Sequence, residues 1–488
     1  MSISLGALNT YSFLQNAATQ WSNNPAVHDE KGTLTFLELY TKAEKLRKQL
    51  LDQNIGSGCG IGMICRNNRN FIIALFGSLG SGASVMPVAH HLQQPEREKL
   101  FTETILHAVI EEKGNGEFEI SLAHRKDGKT LRDDSTKQNS APMCLCGENP
   151  FAPHVQNAAF VRFTSGTTAK SKGVIISHQS VLERCEAANK ALQLTENDCV
   201  VWVLPMAYHF VVSIMLYVKT GAAIAICSDF TASSILNYAN NNNGTLLYAS
   251  PMHIRLLAAD NSEEQFKSMK RVISTSTAIP VQYAHAFKNR YNLDVEQAFG
   301  IIEVGLPVIN TKSAALHPDA IGHALPDYTV EILDNDFTIL PPATVGKLAV
   351  KGPGMFDAYL SPPQLREDIL QHGWFITGDL ASKSADGLIK IEGREKSMIN
   401  VSGNKVFPEE VESVLKEHSA VKEARVFSAK HPLTGEIVAA EVVLIPHAVI
   451  TTEELLAHCR KKLSPFKVPQ TITFATELSM TATGKVIR

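Results

Sequence analysis

Charge of one sign is what this chain lacks: 46 Lys and Arg stand against 49 Asp and Glu, a formal net charge of −3 at pH 7 over 488 residues. Without a general basic field, non-specific nucleic-acid binding is excluded as a main role, and small molecules become the expected partners. Paired cysteines are missing as well. The eight cysteines are scattered, and the one close pair, Cys144 and Cys146, has no second pair at metal-ligand spacing. That argues against a zinc site or a disulfide framework and for reduced, non-ligating thiols. The opening MSISLGALNTYSFLQ has no basic segment followed by an apolar core, so no secretory signal is expected and cytoplasmic residence is the default. One uncharged run does stand out, the 19 residues from Val200 to Val218, which by length could span a bilayer. Pro205, Tyr208 and His209 interrupt it, and a β-branched start before the proline reads as a buried strand followed by a buried helix, not a transmembrane segment. No internal repeat of solenoid or propeller period is present.

What is present fits a large globular chain. Hydrophobic residues make up 44% and charged residues 19%, near the averages for folded soluble domains, and the length exceeds one ordinary domain. The first hundred residues alternate a helical pattern, Phe36 to Leu51, with short apolar strands at Gly60 to Cys65 and Ser84 to Val88, which predicts an α/β body. Lys126 to Asn157 is polar and irregular and reads as a surface connection, and Asn240 to Asn243 before Gly244 reads as a turn. Near Arg394 the texture changes. Val406 to Leu415 is a strand-to-helix step with Pro408 at the helix start and Glu409 and Glu410 in the first turn. Strands at Ala424 to Phe427 and Ile437 to Leu444, a Pro432 to Gly435 turn and a helix opened by Thr451 and Glu454 complete a small α+β unit. The expected division is therefore residues 1–394 and residues 395–488.

The richest candidate for chemistry is Thr164 to Gly173, TSGTTAKSKG, lying between the strand-like Ala158 to Phe163 and Val174 to Ile176. Its hydroxyls, backbone N–H groups, Lys170 and Lys172 suit a triphosphate. It is not a Walker loop, because six residues separate Gly166 from Gly173 and a strand follows in place of a helix. By itself it reads equally well as a polar hairpin turn.

Four further motifs follow in order: Phe299-Gly300-Ile301-Ile302-Glu303, Phe375-Ile376-Thr377-Gly378-Asp379, Gly393-Arg394-Glu395-Lys396, and Thr483-Gly484-Lys485-Val486-Ile487-Arg488. Together with Leu34-Thr35-Phe36 and Asn67-Asn68 to Pro87, they make the chain resemble, over nearly its whole length, the superfamily of acyl-CoA synthetases, nonribosomal-peptide adenylation domains and firefly-type luciferases. The resemblance implies an α/β fold, a large multi-subdomain N-terminal body carrying a small mobile C-terminal α+β domain. It implies ATP, Mg²⁺ and coenzyme A as cofactors, and a carboxylic acid activated as its adenylate and then passed to a thiol.

The same resemblance implies roles for single residues. Thr164, Ser165, Gly166, Thr167, Thr168 and Lys172 would hold the β- and γ-phosphates, and Glu303 the Mg²⁺ that bridges them. Phe299 and Gly300 on one side, and Ser276 and Thr277 on the other, would enclose the adenine. Asp379 would take the ribose hydroxyls with Arg394 beside it. Lys485 would contact both the acid carboxylate and the α-phosphate, His209 would gate the acid pocket, Lys396 would be the hinge, and Gly403 would border the thiol tunnel. Individually each has a plainer reading: Glu303 and Lys485 as solvated charges, Phe299 and His209 as core residues, Asp379 as a turn residue.

The sequence also departs from the pattern it resembles. Ala169 and Ser171 stand where that loop usually has Gly and Pro, and Ile302 where the Mg²⁺ motif usually has Thr. Thr275 and Ser276 replace glycines, which narrows the space beside the adenylate and favours a small or flat acid. Phe210 is followed by Val211 and Val212, with no acidic partner for an α-amino group. The expected activity is an acid–CoA ligase. An acyl carrier protein as acceptor, a degenerate nucleotide-binding homologue without turnover, and luciferase-like oxidation are the alternatives.

Overall fold

The computed structural model describes residues 8–104, 106–114, 116–122, 152, 155, 157–163, 173–401, 404–431 and 435–479. Two mixed sheets form the body. The first has eight strands, and its centre is parallel, with Gly60–Cys65 between Ser84–Ala89 and Ala108–Glu112. Every residue of Gly60–Cys65 is buried, as a strand covered on both faces must be. Next to Ser84–Ala89 lies Ala158–Phe163, and Gly173–Ser177 returns antiparallel to it, with Phe163 opposite Gly173. The strands flanking residues 164–172 are thus tied directly to each other.

The second sheet has nine strands, with Val295–Ile301, Arg271–Ser274, Leu246–Ala249, Cys199–Trp202, Ala223–Ile226 and Pro25–Asp29 running parallel in that order. A four-stranded antiparallel sheet follows, ending in the pair Phe375–Lys383 and Ile389–Arg394. Beyond the 3₁₀ turn Glu395–Ser397, a five-stranded sheet packs the helices Pro408–Lys416 and Thr452–Arg460 around a core of its own, built from Ile399, Val406, Leu415, Val426, Val442 and Leu455 among others.

Local sequence rules account for most of these elements. Thr35 caps the helix Phe36–Asp52 in a reciprocal box with Glu38, and Phe36, Leu39, Ala43, Leu46 and Leu50 form its buried stripe. Thr451 and Glu454 cap Thr452–Arg460 in the same way, and Pro408 opens Pro408–Lys416. As expected, the uncharged run after Val200 is a strand, Cys199–Trp202, followed by helix, which comes in two pieces, the single turn Met206–His209 and Ile214–Thr220. Among the described residues, no helix is long and apolar enough to cross a membrane. Two expectations are corrected. The helix Ala232–Asn241 extends into the asparagine run, so the turn falls on Asn242 and Asn243, the latter at φ +51°. The C-terminal strands are longer than their apolar cores, at Val421–His431 and Gly435–Leu444. The expected connection across residues 126–150 and the turn at residues 432–434 lie outside the described residues.

The N-terminal segment is fastened by a buried histidine. Thr10 donates its backbone N–H to Nδ1 of His178 at 3.1 Å, and its hydroxyl lies 2.9 Å from the same atom. Nδ1 must therefore be unprotonated, and burial pushes His178 down to about 4, as it does His253. A folded-state value below the unfolded one means that the unfolded chain binds protons first on acidification. Stability should be fully present above about pH 6.5 and fall between there and pH 4, by on the order of 3 kcal/mol per histidine at the lower limit. Denaturation followed against pH checks this, and His178→Gln should flatten the slope.

Candidate active site

Glu303 follows the strand Val295–Ile301, whose bulge between Phe299 and Ile301 lets the backbone turn outwards. Gly300 is required there, because a Cβ would lie 2.7 Å from the carbonyl of Gly305. The backbone of Glu303 is held from two sides. Its carbonyl accepts from the N–H of Phe356 at 2.7 Å and from Nη2 of Arg184 at 3.2 Å. The same guanidinium donates to the carbonyl of Ile302 at 2.8 Å and to that of Gly354 through Nε. Arg184 is fully buried on the helix His178–Leu192, so one side chain ties that helix to two separate segments. Gly354 is there by necessity: it sits at φ +64°, and a Cβ would meet Cγ of Arg184 and the carbonyl of Ser180 at 2.6 Å.

The Glu303 carboxylate accepts a hydrogen bond from the Tyr359 hydroxyl at 3.1 Å. Burial and the Glu303 charge together push the Tyr359 phenol well above its ordinary range, so it stays a donor. Near by, Arg162 projects from Ala158–Phe163. Burial pushes it down to about 10 while the Glu303 charge supports its protonated form, which leaves a full positive charge at neutral pH. Its guanidinium carbon lies 5.7 Å from the centre of the Tyr208 ring. Beside Tyr208 on the turn Met206–His209, His209 is half-buried, and Phe210 packs edge-on against Phe160 at 4.8 Å.

Asp379 and Arg394 are cross-strand partners at the end of the four-stranded sheet. Arg394 Nε lies 2.7 Å from Asp379 Oδ1; the carboxylate is 4% exposed and the guanidinium side chain 51%. The carboxylate is thus fixed while its arginine faces solvent. Lys396 is exposed on the 3₁₀ turn directly after, between the body and the C-terminal sheet. Across that junction, Gln282 donates to the carbonyl of Lys416 at 3.4 Å and Arg255 approaches Glu423 at 3.9 Å.

Phe299 is half-buried against the main core and Gly300 is exposed. Opposite them in the parallel ladder, Arg271–Ser274 leads into Thr275, which is buried and hydrogen-bonds the carbonyl of Ala298 at 3.3 Å. Ser276 adopts φ +80°, the left-handed region that a glycine takes without cost. Thr277 is exposed. Val211, at the position after Phe210, is buried in the core. Among the sequence candidates, Thr164, Ser165, Gly166, Thr167, Thr168, Lys172, Gly403 and Lys485 lie outside the described residues.

Sequence reasoning missed Arg162, Arg184 and Tyr359. Only Arg162 left a signal, as the one charge in the otherwise apolar run AAFVRF. Among the described residues no group of three or more His, Cys, Asp or Glu could hold an ion. Mg²⁺ does not require one, since it binds through one or two carboxylates plus substrate phosphates. Glu303, with one oxygen held by Tyr359, fits that use.

Mixed α/β sheets carrying a separate C-terminal unit, with Asp379 and Arg394 at the junction, define a two-part protein of the adenylating type. The chain belongs to the AMP-binding enzymes: that family's model matches residues 14–360, and the AMP-binding enzyme C-terminal domain matches residues 410–485. It is 26% identical to a long-chain-fatty-acid–CoA ligase of Yersinia pestis, over 97% of this chain and 92% of that protein. It is 27% identical to a sulfoacetate–CoA ligase of Cupriavidus necator, over 96% and 95%. In fold it matches the o-succinylbenzoate CoA synthetase of Bacillus subtilis in complex with its acyl-adenylate, with a TM-score of 0.83 at 22% identity, covering 98% of this chain and 96% of that one.

Two substitutions probe this architecture. Arg184→Met strands the buried carbonyls of Ile302 and Gly354 and leaves that of Glu303 with Phe356 alone, and should cost on the order of 3–5 kcal/mol, seen as a lower midpoint of thermal unfolding. Ser276→Gly relieves a left-handed serine and should raise stability by about 1 kcal/mol; an unchanged or lower midpoint would contradict the strain.

Proposed function

We propose that this chain is an ATP-dependent carboxylic acid–CoA ligase that forms an acyl adenylate with release of pyrophosphate, then a CoA thioester with release of AMP. The observation that carries the reading is the pairing of an oriented carboxylate, Glu303 under Tyr359, with the fixed Asp379 at the junction, in a chain whose family is AMP-binding. The long-chain-fatty-acid–CoA ligase and sulfoacetate–CoA ligase among its relatives favour CoA over an acyl carrier protein as acceptor. Residues 1–394 serve as the adenylate-forming body and residues 395–488 as the lid that carries Lys485.

In the first half-reaction, an oxygen of the acid carboxylate attacks the α-phosphorus as the bond to the bridging β-phosphate oxygen breaks. Both reactants are anions, so cations must offset their repulsion. Thr164, Ser165, Gly166, Thr167, Thr168 and Lys172 hold the β- and γ-phosphates. Glu303 is the residue that would hold Mg²⁺, whose charge neutralises the departing pyrophosphate. Asp379 accepts from the ribose hydroxyls, and Arg394, 2.7 Å away, holds that carboxylate in place. Phe299 and Gly300 face Ser276 and Thr277 across the adenine. Lys485 contacts both reacting anions, and His209 gates the acid pocket.

Rotation about Lys396 then withdraws Lys485 and brings Gly403 alongside the thiol path. The junction supports such a turn, because the C-terminal unit has a core of its own and meets the body through exposed polar contacts. Thr275 and Ser276 occupy space beside the adenylate, which favours small or flat acids, and Val211 offers no partner to an ammonium group.

Acid-dependent exchange of pyrophosphate into ATP tests the reading, with a panel of aliphatic, aromatic and amino acids. Exchange should be greatest with a small or flat acid lacking an α-amino group, and Lys485→Ala should lower it on the order of 10²–10³-fold. Absence of exchange with every acid would favour a homologue that binds nucleotide without turnover. Thioester formation with CoA but not with a carrier protein is the expected second result.

A further inference from the structure

We propose that Arg162 is a catalytic cation of the adenylation step, its guanidinium contacting the acid carboxylate and the α-phosphate as they join. The role rests on the proposed ligase function but uses a residue outside the motifs that suggested it.

The first argument is pairing. Arg162 is half-buried, and its one recorded side-chain contact among the described residues is with the Tyr208 ring. Every other residue of Ala158–Phe163 is apolar, and burying an arginine in such a strand costs several kcal/mol unless it is paired. Elsewhere this fold supplies the pairing. Arg69 is held by both carboxylate oxygens of Asp29, and Arg184 by three carbonyls. Among the described residues, Arg162 forms neither an ion pair nor a hydrogen bond, and its Nε is buried without a partner. A cation kept in this condition is poised for a ligand that is itself an anion.

The second argument is position. Side chains alternate along a strand, so Arg162 lies on the same face as Phe160, which packs against Phe210. Its guanidinium is over Tyr208. Tyr208 and Phe210 flank His209, the acid gate. Glu303 is the carboxylate whose charge acts on Arg162. The guanidinium is thus next to the acid gate and within the field of the carboxylate assigned to Mg²⁺, the neighbourhood in which the acid carboxylate and the α-phosphate must meet.

The third argument is chemical. The carboxylate–phosphorus bond forms as the α–β phosphoanhydride breaks, the electron pair leaves with pyrophosphate, and no proton moves. What the step needs is positive charge fixed in advance. Ile302 offers no hydroxyl, and a guanidinium fork can engage one oxygen of each reactant. Tyr208 beneath it restrains the plane of the fork.

Pyrophosphate exchange with the full-length wild type, Arg162→Met and Arg162→Lys, alongside thermal midpoints, tests the assignment. Arg162→Met should lower kcat on the order of 10²–10³-fold for every acid the wild type accepts, with the KM for ATP changed far less, and Arg162→Lys should recover part of the loss. The midpoint of Arg162→Met should hold or rise, because an unpaired buried charge has been removed. Three results would overturn the role: exchange equal to wild type, loss confined to acids bearing a second anionic group, or a midpoint that falls together with activity. Wild-type protein without exchange on any acid would sink the ligase reading itself, whereas active wild type with an equally active Arg162→Met sinks this role alone.

Discussion

The structure turns on one buried guanidinium. Arg184 leaves the helix His178–Leu192 and spends its donors on the carbonyls of Gly354, Ile302 and Glu303. Asp357 completes the clamp from the other direction, accepting from the N–H of Ser177 at 2.6 Å and the Ser180 hydroxyl at 3.0 Å, at the start of the same helix. Carbonyls so deeply buried must be paired, and no short side chain reaches three of them. The backbone that carries Glu303 is therefore held by a residue more than a hundred positions earlier, and Gly354 exists in its left-handed form so that the arginine can pass.

Two arginines illustrate how the fold divides its resources. Arg184 is satisfied and serves architecture; Arg162 is half-buried, and its Nε is enclosed without a partner among the described residues. Ser276 shows the same pattern in the backbone, holding a conformation that costs a serine free energy. Left-handed backbone is also found away from the site, at Phe337, Ala343 and His447 for example, so Ser276 is one of several such exceptions, and the one placed beside the candidate site.

Much of the architecture was legible in the sequence because its causes are local. The apolar strand Gly60–Cys65, the capping boxes at Thr35 and Thr451, and Pro408 at a helix start each depend on residues within one turn. The errors fell where long-range packing decides. Pro205 announces the end of the strand after Val200 but not that the helix beyond it comes in two pieces, and the asparagine run after Tyr238 looks like a turn until packing draws its first half into a helix. Of the site, the order of motifs pointed to Glu303 and to the Asp379–Arg394 strand pair. Arg184 and Tyr359 were not legible, because their partners lie 119 and 56 residues away and no spacing rule connects them.

The C-terminal unit closes its own apolar core around Leu415, Val426 and Leu455, and none of these residues belongs to the core of the body. Cooperativity in unfolding comes from shared burial, and here little is shared. The chain therefore has two apolar cores, joined among the described residues by the short 3₁₀ connection, a few polar contacts and Phe407 against Gly393, and two free energies of unfolding are expected in place of one. A ligand that touches both parts would make them melt as one.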